Sequence, residues 1–106
     1  MNARTKALGI SRSVRAEVYE RDSWDGAICC VTCGKVFGLE LHHFIPRSLS
    51  GLGVPENLIV ICQDCHQKAD HGDPREREGM KKSIRAHLQH KYPDWDESAL
   101  CYRREP

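Results

Sequence analysis

Cys30-Val31-Thr32-Cys33-Gly34 and Cys62-Gln63-Asp64-Cys65-His66 enclose Leu41-His42-His43-Phe44-Ile45-Pro46-Arg47, and these three stretches decide the fold. The two C-x-x-C pairs are separated by positions 34–61, a span of 28 residues. Two residues between thiolates allow one tight turn to offer both sulfurs to a tetrahedral ion, and two such turns complete a closed four-sulfur shell. A closed shell leaves no open position for chemistry; it ties distant parts of a short chain together and stabilises the fold through metal binding. The spacing therefore predicts a structural zinc on Cys30, Cys33, Cys62 and Cys65. Cys29 adjoins the first pair, but Cys30 gives the better spacing, and Cys101 reads as a plain tail thiol.

Composition supports metal over disulfides. The chain has 106 residues, with six Cys and six His, 16 Lys and Arg, and 15 Asp and Glu, for a formal charge of +1. This length suits one domain with a modest core. The balanced charge excludes a histone-like polycation and an acidic tail. A mean hydropathy of −0.58, with no apolar run of spanning length, argues against a membrane segment. Residues 1–8 lack the apolar stretch of a secretory signal, so a cytoplasmic location is expected, where cysteines stay reduced. Cys62-Gln63-Asp64-Cys65-His66 also matches the C-x-x-C-H haem-attachment pattern, but the second C-x-x-C pair and the missing export signal favour metal.

Outward from the centre, one domain over residues 1–106 divides into three parts. Residues 1–13 read as a basic arm, 14–73 as the zinc-tied core, and 74–106 as a charged helix and tail. Ser11 or Ser13 can cap a helix reaching about Arg21, with Val14 and Val18 on one face. Asp22 to Gly26 is turn chemistry. Val36–Leu41 reads as extended chain into His42-His43, and residues 46–55 as a loop rich in Ser, Gly and Pro. Leu58-Ile59-Val60-Ile61 is a short apolar strand, followed by a helix from about Asp64 that fades before Gly72. From Pro74 the chain turns helical, with Met80, Ile84 and Leu88 repeating at i,i+4, until Tyr92-Pro93 stops it. The segment from Asp94 onward shows no clear pattern.

Adjacent histidines on an extended chain point to opposite sides, so one can bind metal while its neighbour acts on something else. Together, Cys30-x-x-Cys33-Gly34, Leu41-His42-His43-Phe44-Ile45-Pro46-Arg47, Asn57-Leu58 and Cys62-x-x-Cys65-His66 resemble an HNH endonuclease of the cysteine-containing phage and bacterial type. Val14-Arg15…Arg21-Asp22 fits the helix that usually leads into that motif. The resemblance covers about residues 10–72 and implies an α+β fold: a small ββα-metal core tied by the four-cysteine site, flanked by N- and C-terminal helices.

It also implies a mechanism. His43 matches the family's general base, and a neutral imidazole can take a proton from water at cellular pH. His42 and His66 match ligands of a catalytic divalent ion, such as Mg2+, Mn2+ or Zn2+, which stabilises charge on the scissile phosphate. Asn57 matches the central asparagine that pins the loop and so helps to fix the base. Where some relatives carry a further His four residues after the His66 position, this chain has Asp70, with His71 beside it. Asp70 shares a helix face with His66 and is a candidate third ligand, the alternative being an exposed carboxylate near a helix end. His87 and His90 read as surface residues.

The implied substrate is DNA, with RNA open to the same chemistry. Residues 1–21 carry a local charge of +3, with Arg4, Lys6, Arg12, Arg15 and Arg21 against Glu17 and Glu20. Residues 75–91 carry +4, including Lys81, Lys82 and Arg85. Both suit phosphate tracking, although ordinary solvated helix faces are the alternative for any single charge. Arg47 follows the His pair and matches a basic position frequent in the family, which makes it the leading phosphate contact. No stretch resembles a major-groove reading helix, so weak sequence preference or a targeting partner, such as a phage packaging protein, is expected. The competing reading is a non-catalytic zinc-ribbon-like adaptor for DNA or protein.

Overall fold

Every residue of Leu58–Cys62 is buried, and the rest of the molecule is assembled on its two faces. A computed structural model describes residues 2–103. In chain order it contains α1 (Ala3–Leu8), α2 (Arg12–Arg21), β1 (Ser23–Trp24), β2 (Ala27–Ile28), β3 (Leu39–His43), β4 (Leu58–Cys62), α3 (Gln63–His71) and α4 (Pro74–Lys91). The architecture is α+β, with two antiparallel two-stranded sheets, β1–β2 and β3–β4. Among the described residues, no helix is long and apolar enough to cross a membrane.

β3 and β4 pair from Leu39↔Cys62 to His43↔Leu58. Alternation along β4 sends its side chains to opposite faces. Ile59 and Ile61 pack with Phe44, Ile84 and Leu88, whereas Leu58 and Val60 pack with Val18 of α2. A strand covered on both sides must be apolar throughout, which is why Leu58-Ile59-Val60-Ile61 shows no polar alternation.

Local signals set the helix ends. The Ser11 hydroxyl accepts a hydrogen bond from the Val14 N–H at 3.1 Å, capping α2. At α4, Asp73 and Glu76 form a reciprocal capping box with Pro74 in the first turn, satisfying N–H groups that would otherwise lack partners. Asp25 and Gly26, at φ 50° and 81°, turn β1 into β2 with the left-handed geometry that tight hairpins need.

Three stretches differ from the sequence expectation. The basic arm contains a helix, α1, docked on the loop after β3: the Gly53 N–H donates to the Ala7 carbonyl at 3.0 Å. The loop at 46–55 holds a 3-10 turn at Arg47–Leu49 and leads into another at Pro55–Asn57. The patternless tail is an integral part of the fold. Trp95 donates its indole N–H to the Glu56 carbonyl at 2.7 Å, Leu100 is buried, and Cys101 forms a β-bridge with Gly51, which makes it a half-buried residue rather than a plain tail thiol.

Candidate metal centres

The first centre lies where two turns meet. Gly34, at φ 86°, closes the Cys30–Cys33 knuckle, with its N–H donating to the Cys30 carbonyl at 2.8 Å. The Val31 N–H donates to the Val60 carbonyl at 3.0 Å, fixing the knuckle to β4. Cys62 ends that strand and caps α3, its sulfur accepting from the Cys65 N–H. The four sulfurs of Cys30, Cys33, Cys62 and Cys65 all lie within 4.8 Å of one another, and those of Cys33 and Cys62 are 3.6 Å apart. A tetrahedron with Zn–S bonds of about 2.3 Å has edges of about 3.8 Å, so the cluster fits a zinc ion. Cys29 lies outside it.

The crowding of sulfurs is visible in their acidity. Burial pushes the Cys65 thiol up, and the sulfurs of Cys62, Cys30 and Cys33 raise it further, to about 12 despite an opposing contact from Thr32. Burial also disfavours the Cys30 thiolate, but hydrogen bonds from Thr32 and backbone groups outweigh it and bring that thiol down to about 6. A divalent cation resolves this conflict by letting neighbouring thiolates coexist.

The second centre is built from His42 of β3 and His66 and Asp70 of α3, whose ligand atoms also lie within 4.8 Å of one another. The His42 and His66 rings meet edge to face with centroids 4.7 Å apart. His42 is 7% exposed, and its Nδ1 is buried without a hydrogen-bond partner. An unpartnered buried nitrogen is costly unless something binds it. Burial, and then the neighbouring His66, push the His42 imidazole down to about 4, so it is neutral and ligand-ready near pH 7. The donor set of imidazoles and a carboxylate suits a divalent ion with positions left open. His66 stands between two carboxylates: Nδ1 pairs with Glu40, and Nε2 with Asp70 at 2.9 Å.

A cleft of about 480 Å³ opens over this centre, lined by His42 and Asp70, by Pro46 and Leu49 of the loop, and by Arg77 and Lys81 of α4. His43 projects from the other face of β3, where Nε2 meets the Leu8 carbonyl at 3.0 Å. Burial lowers the His43 pKa, and the charge of Arg47 acts in the same direction against the raising effect of the Leu8 contact.

Asn57 is fully buried and, among the described residues, its side chain hydrogen-bonds to neither histidine. Its Oδ1 accepts from the Ile45 N–H at 2.8 Å, and its Nδ2 donates to the carbonyls of Leu52 and Ile45 at 2.8 and 3.2 Å. It therefore pins both ends of the loop that follows the His pair. Gly51 completes this arrangement, since a Cβ there would lie 1.6 Å from the Ile45 carbonyl oxygen.

The basic residues are dispersed. Arg15 and Arg47 are exposed, as are Lys81 and Lys82, but of the two lysines it is Lys81 that faces the cleft. The Arg85 Nε donates to the Glu97 carboxylate at 2.9 Å, and its guanidinium covers the Phe44 ring. His71 and His90 are exposed. His87 is not the surface residue its sequence context suggests: its Nε2 donates to the buried Asp22 carboxylate at 2.8 Å. Sequence reasoning missed Glu40 and counted Arg77 only within the basic segment 75–91. Glu40 precedes His42 by two on a strand, which puts both on one face; Arg77 precedes Lys81 by four on a helix.

This centre has recognisable relatives. Residues 30–72 match the family model described as HNH endonuclease. The chain is similar to Anaredoxin from Nostoc sp. (strain PCC 7120), at 29% identity over 62 residues, 58% of this chain and 78% of that protein. Its fold is similar to that of the Type IV phosphorothioation-dependent restriction endonuclease ScoMcrA, with a TM-score of 0.55 and 21% identity over 80% of this chain. The chain spans only 17% of that structure's length. The match to the family model encloses both clusters of candidate ligands, from Cys30 to Asp70. Over residues 30–72, less than half of its length, this chain is similar to the HNH endonuclease family.

Proposed function

We propose that the protein is a metal-dependent endonuclease that hydrolyses phosphodiester bonds in DNA. The observation that carries this reading is the buried, unpartnered Nδ1 of His42, set beside His66 and Asp70 in a cleft walled by Arg77 and Lys81. His42, His66 and Asp70 would hold a divalent ion such as Mg2+, Mn2+ or Zn2+. When bound, that ion supplies positive charge to the phosphate oxygens and to the departing 3′ oxygen. Cys30, Cys33, Cys62 and Cys65 would hold a zinc ion with a purely structural role.

His43 is the general base. The Leu8 carbonyl can only accept a hydrogen bond, so His43 Nε2 carries the proton and Nδ1 has the free lone pair. With its pKa lowered, the ring is neutral near pH 7, so Nδ1 can accept a proton from water as that water attacks phosphorus. Asn57 keeps the loop after His43 in place without taking part in proton transfer. Arg47, Arg77 and Lys81 supply phosphate contacts near the cut, with Arg15 and Lys82 farther out. The paired Arg85 contributes through its contact with Glu97 and Phe44 as well as its charge. Residues 1–106 act as a single nuclease domain in this reading.

Plasmid nicking in the presence of each divalent ion tests the proposal. Replacing His43 with Ala should lower the rate by about 10²- to 10⁴-fold, the usual worth of a general base, with bound zinc unchanged. A folded, zinc-loaded His43→Ala protein that cuts as fast as wild type would overturn the mechanism. The zinc-ribbon-like adaptor reading predicts one tight zinc and no cleavage. A second, looser divalent site lost in His42→Ala and His66→Ala favours the nuclease.

A further inference from the structure

The short helix α1 lies outside the segment shared with the family, yet it is fastened across the strand that carries His43. Four contacts hold it there. The Leu8 carbonyl meets His43 Nε2 at 3.0 Å, and the Ala7 carbonyl accepts from the Gly53 N–H at 3.0 Å. Arg4 donates to the Ser50 hydroxyl at 3.3 Å and to the Arg47 carbonyl at 3.2 Å. Leu8 itself is 2% exposed, anchoring the strap at its last turn. The approach is close enough to require glycine: a Cβ on Gly53 would lie 2.0 Å from the Gly9 carbonyl oxygen and 3.0 Å from that of Leu8.

A neutral imidazole has one protonated nitrogen and one free lone pair, and a fixed acceptor on one side decides which is which. His43 makes its hydrogen bond to protein through Nε2. Among the described residues, the one buried side-chain nitrogen or oxygen without a partner is His42 Nδ1; His43 Nδ1, which makes no hydrogen bond to the described residues, is therefore not sealed from solvent by them. We infer that α1 is a positioning element for the general base. The Leu8 carbonyl, held by Arg4 and by the Ala7–Gly53 contact, locks His43 in the Nε2–H tautomer and leaves Nδ1 as the proton acceptor. This inference rests on the nuclease reading, but it concerns a contact outside the metal centres.

Two variants of the full zinc-loaded chain test it, Gly53→Ala and Arg4→Ala. The readouts are the imidazole 15N shifts of His43 by long-range 1H–15N NMR, kcat and KM for plasmid cleavage, and zinc content. Wild type should show the Nε2–H tautomer. Gly53→Ala, whose added methyl displaces the strap, should show mixed tautomers. Its kcat should fall by about 10- to 100-fold, the usual cost of removing a histidine's orienting partner, with KM changed much less and zinc retained. Arg4→Ala, a surface change, should move both readouts in the same direction by a smaller amount and keeps the test available if Gly53→Ala does not fold. An Nδ1–H tautomer in wild type would overturn the inference. So would unchanged tautomer and kcat in the folded variants. If wild type shows the Nε2–H form, and the variants lose it, but no variant or wild-type protein cleaves DNA, the positioning contact stands and the nuclease reading falls.

Discussion

Asp22 is fully buried at the end of α2, where a carboxylate needs donors on every side. Burial alone would push its pKa up; hydrogen bonds from His87, from Arg21 and from the Val60 N–H outweigh that and bring it down to about 2. Arg21 extends the network, donating to the carbonyls of Pro55 and Leu58 at 2.7 and 2.6 Å. The group thereby links α2, β4 and α4. Because the folded pKa lies below the ordinary value of 3.8, this contribution is present above pH 4 and is lost as pH falls from about 4 to about 2. Its size is on the order of 2 kcal/mol. Acid also releases thiolate-bound metal, so the measurement is the difference in Tm between wild type and Asp22→Asn, which should shrink between pH 5 and pH 2. A difference that stays constant over that range would contradict the assignment. Nothing local in the sequence announced this network: Asp22 looks like turn chemistry, and His87 lies 65 residues away. Asn57 was legible only through its match to the family's central asparagine; its side-chain partners, Ile45 and Leu52, lie 12 and 5 residues away.

At the scale of elements, legibility followed the physics of each signal. α2 and α4 declare themselves through capping residues and i,i+4 apolar spacing, and the cysteine knuckles through the turn that C-x-x-C requires. β4 was readable as an apolar run. α1 was not: six residues form a marginal helix alone, and its position comes from Gly53 and His43, which are distant in sequence. The tail after Pro93 was unreadable for the same reason, since its order depends on Trp95 reaching the Glu56 carbonyl and on Leu100 entering the core. α4 contributes Ile84 and Leu88 to the core. Its Leu88 is fully buried against the β4 face of the core, so Leu88→Ala should cost about 2–5 kcal/mol in unfolding free energy. Urea denaturation monitored by circular dichroism measures that cost, and a loss below about 1 kcal/mol would mean that α4 is less firmly seated than its burial indicates.

For the whole molecule, 106 residues divide into two small cores separated by a single strand, so no single apolar cluster is large. A zinc ion bound at the four cysteines would compensate. The four-cysteine cluster joins the turn before β3 to the end of β4 and the start of α3, so its loss would detach the first knuckle from the centre. Removing zinc with a strong chelator should lower Tm steeply or abolish the cooperative transition, and zinc alone should restore it. Magnesium should not, because a thiolate shell disfavours a hard ion. A chelated protein with an unchanged transition would show that the cysteine cluster is not structural. The same scale explains why net charge was uninformative: Arg77 and Lys81 stand at the cleft over His42 and Asp70, while the total stays near zero.

The two-sided burial of β4 also shapes how this sequence can diverge. Its odd positions, Ile59 and Ile61, share a core with α4 and the tail; its even positions, Leu58 and Val60, share one with α2. Compensating substitutions are confined to positions of like parity, because only those fill a common volume. One five-residue strand thus carries two nearly independent evolutionary constraints. They meet at the backbone that leads into Cys62 and α3, the helix that carries candidate ligands of both centres.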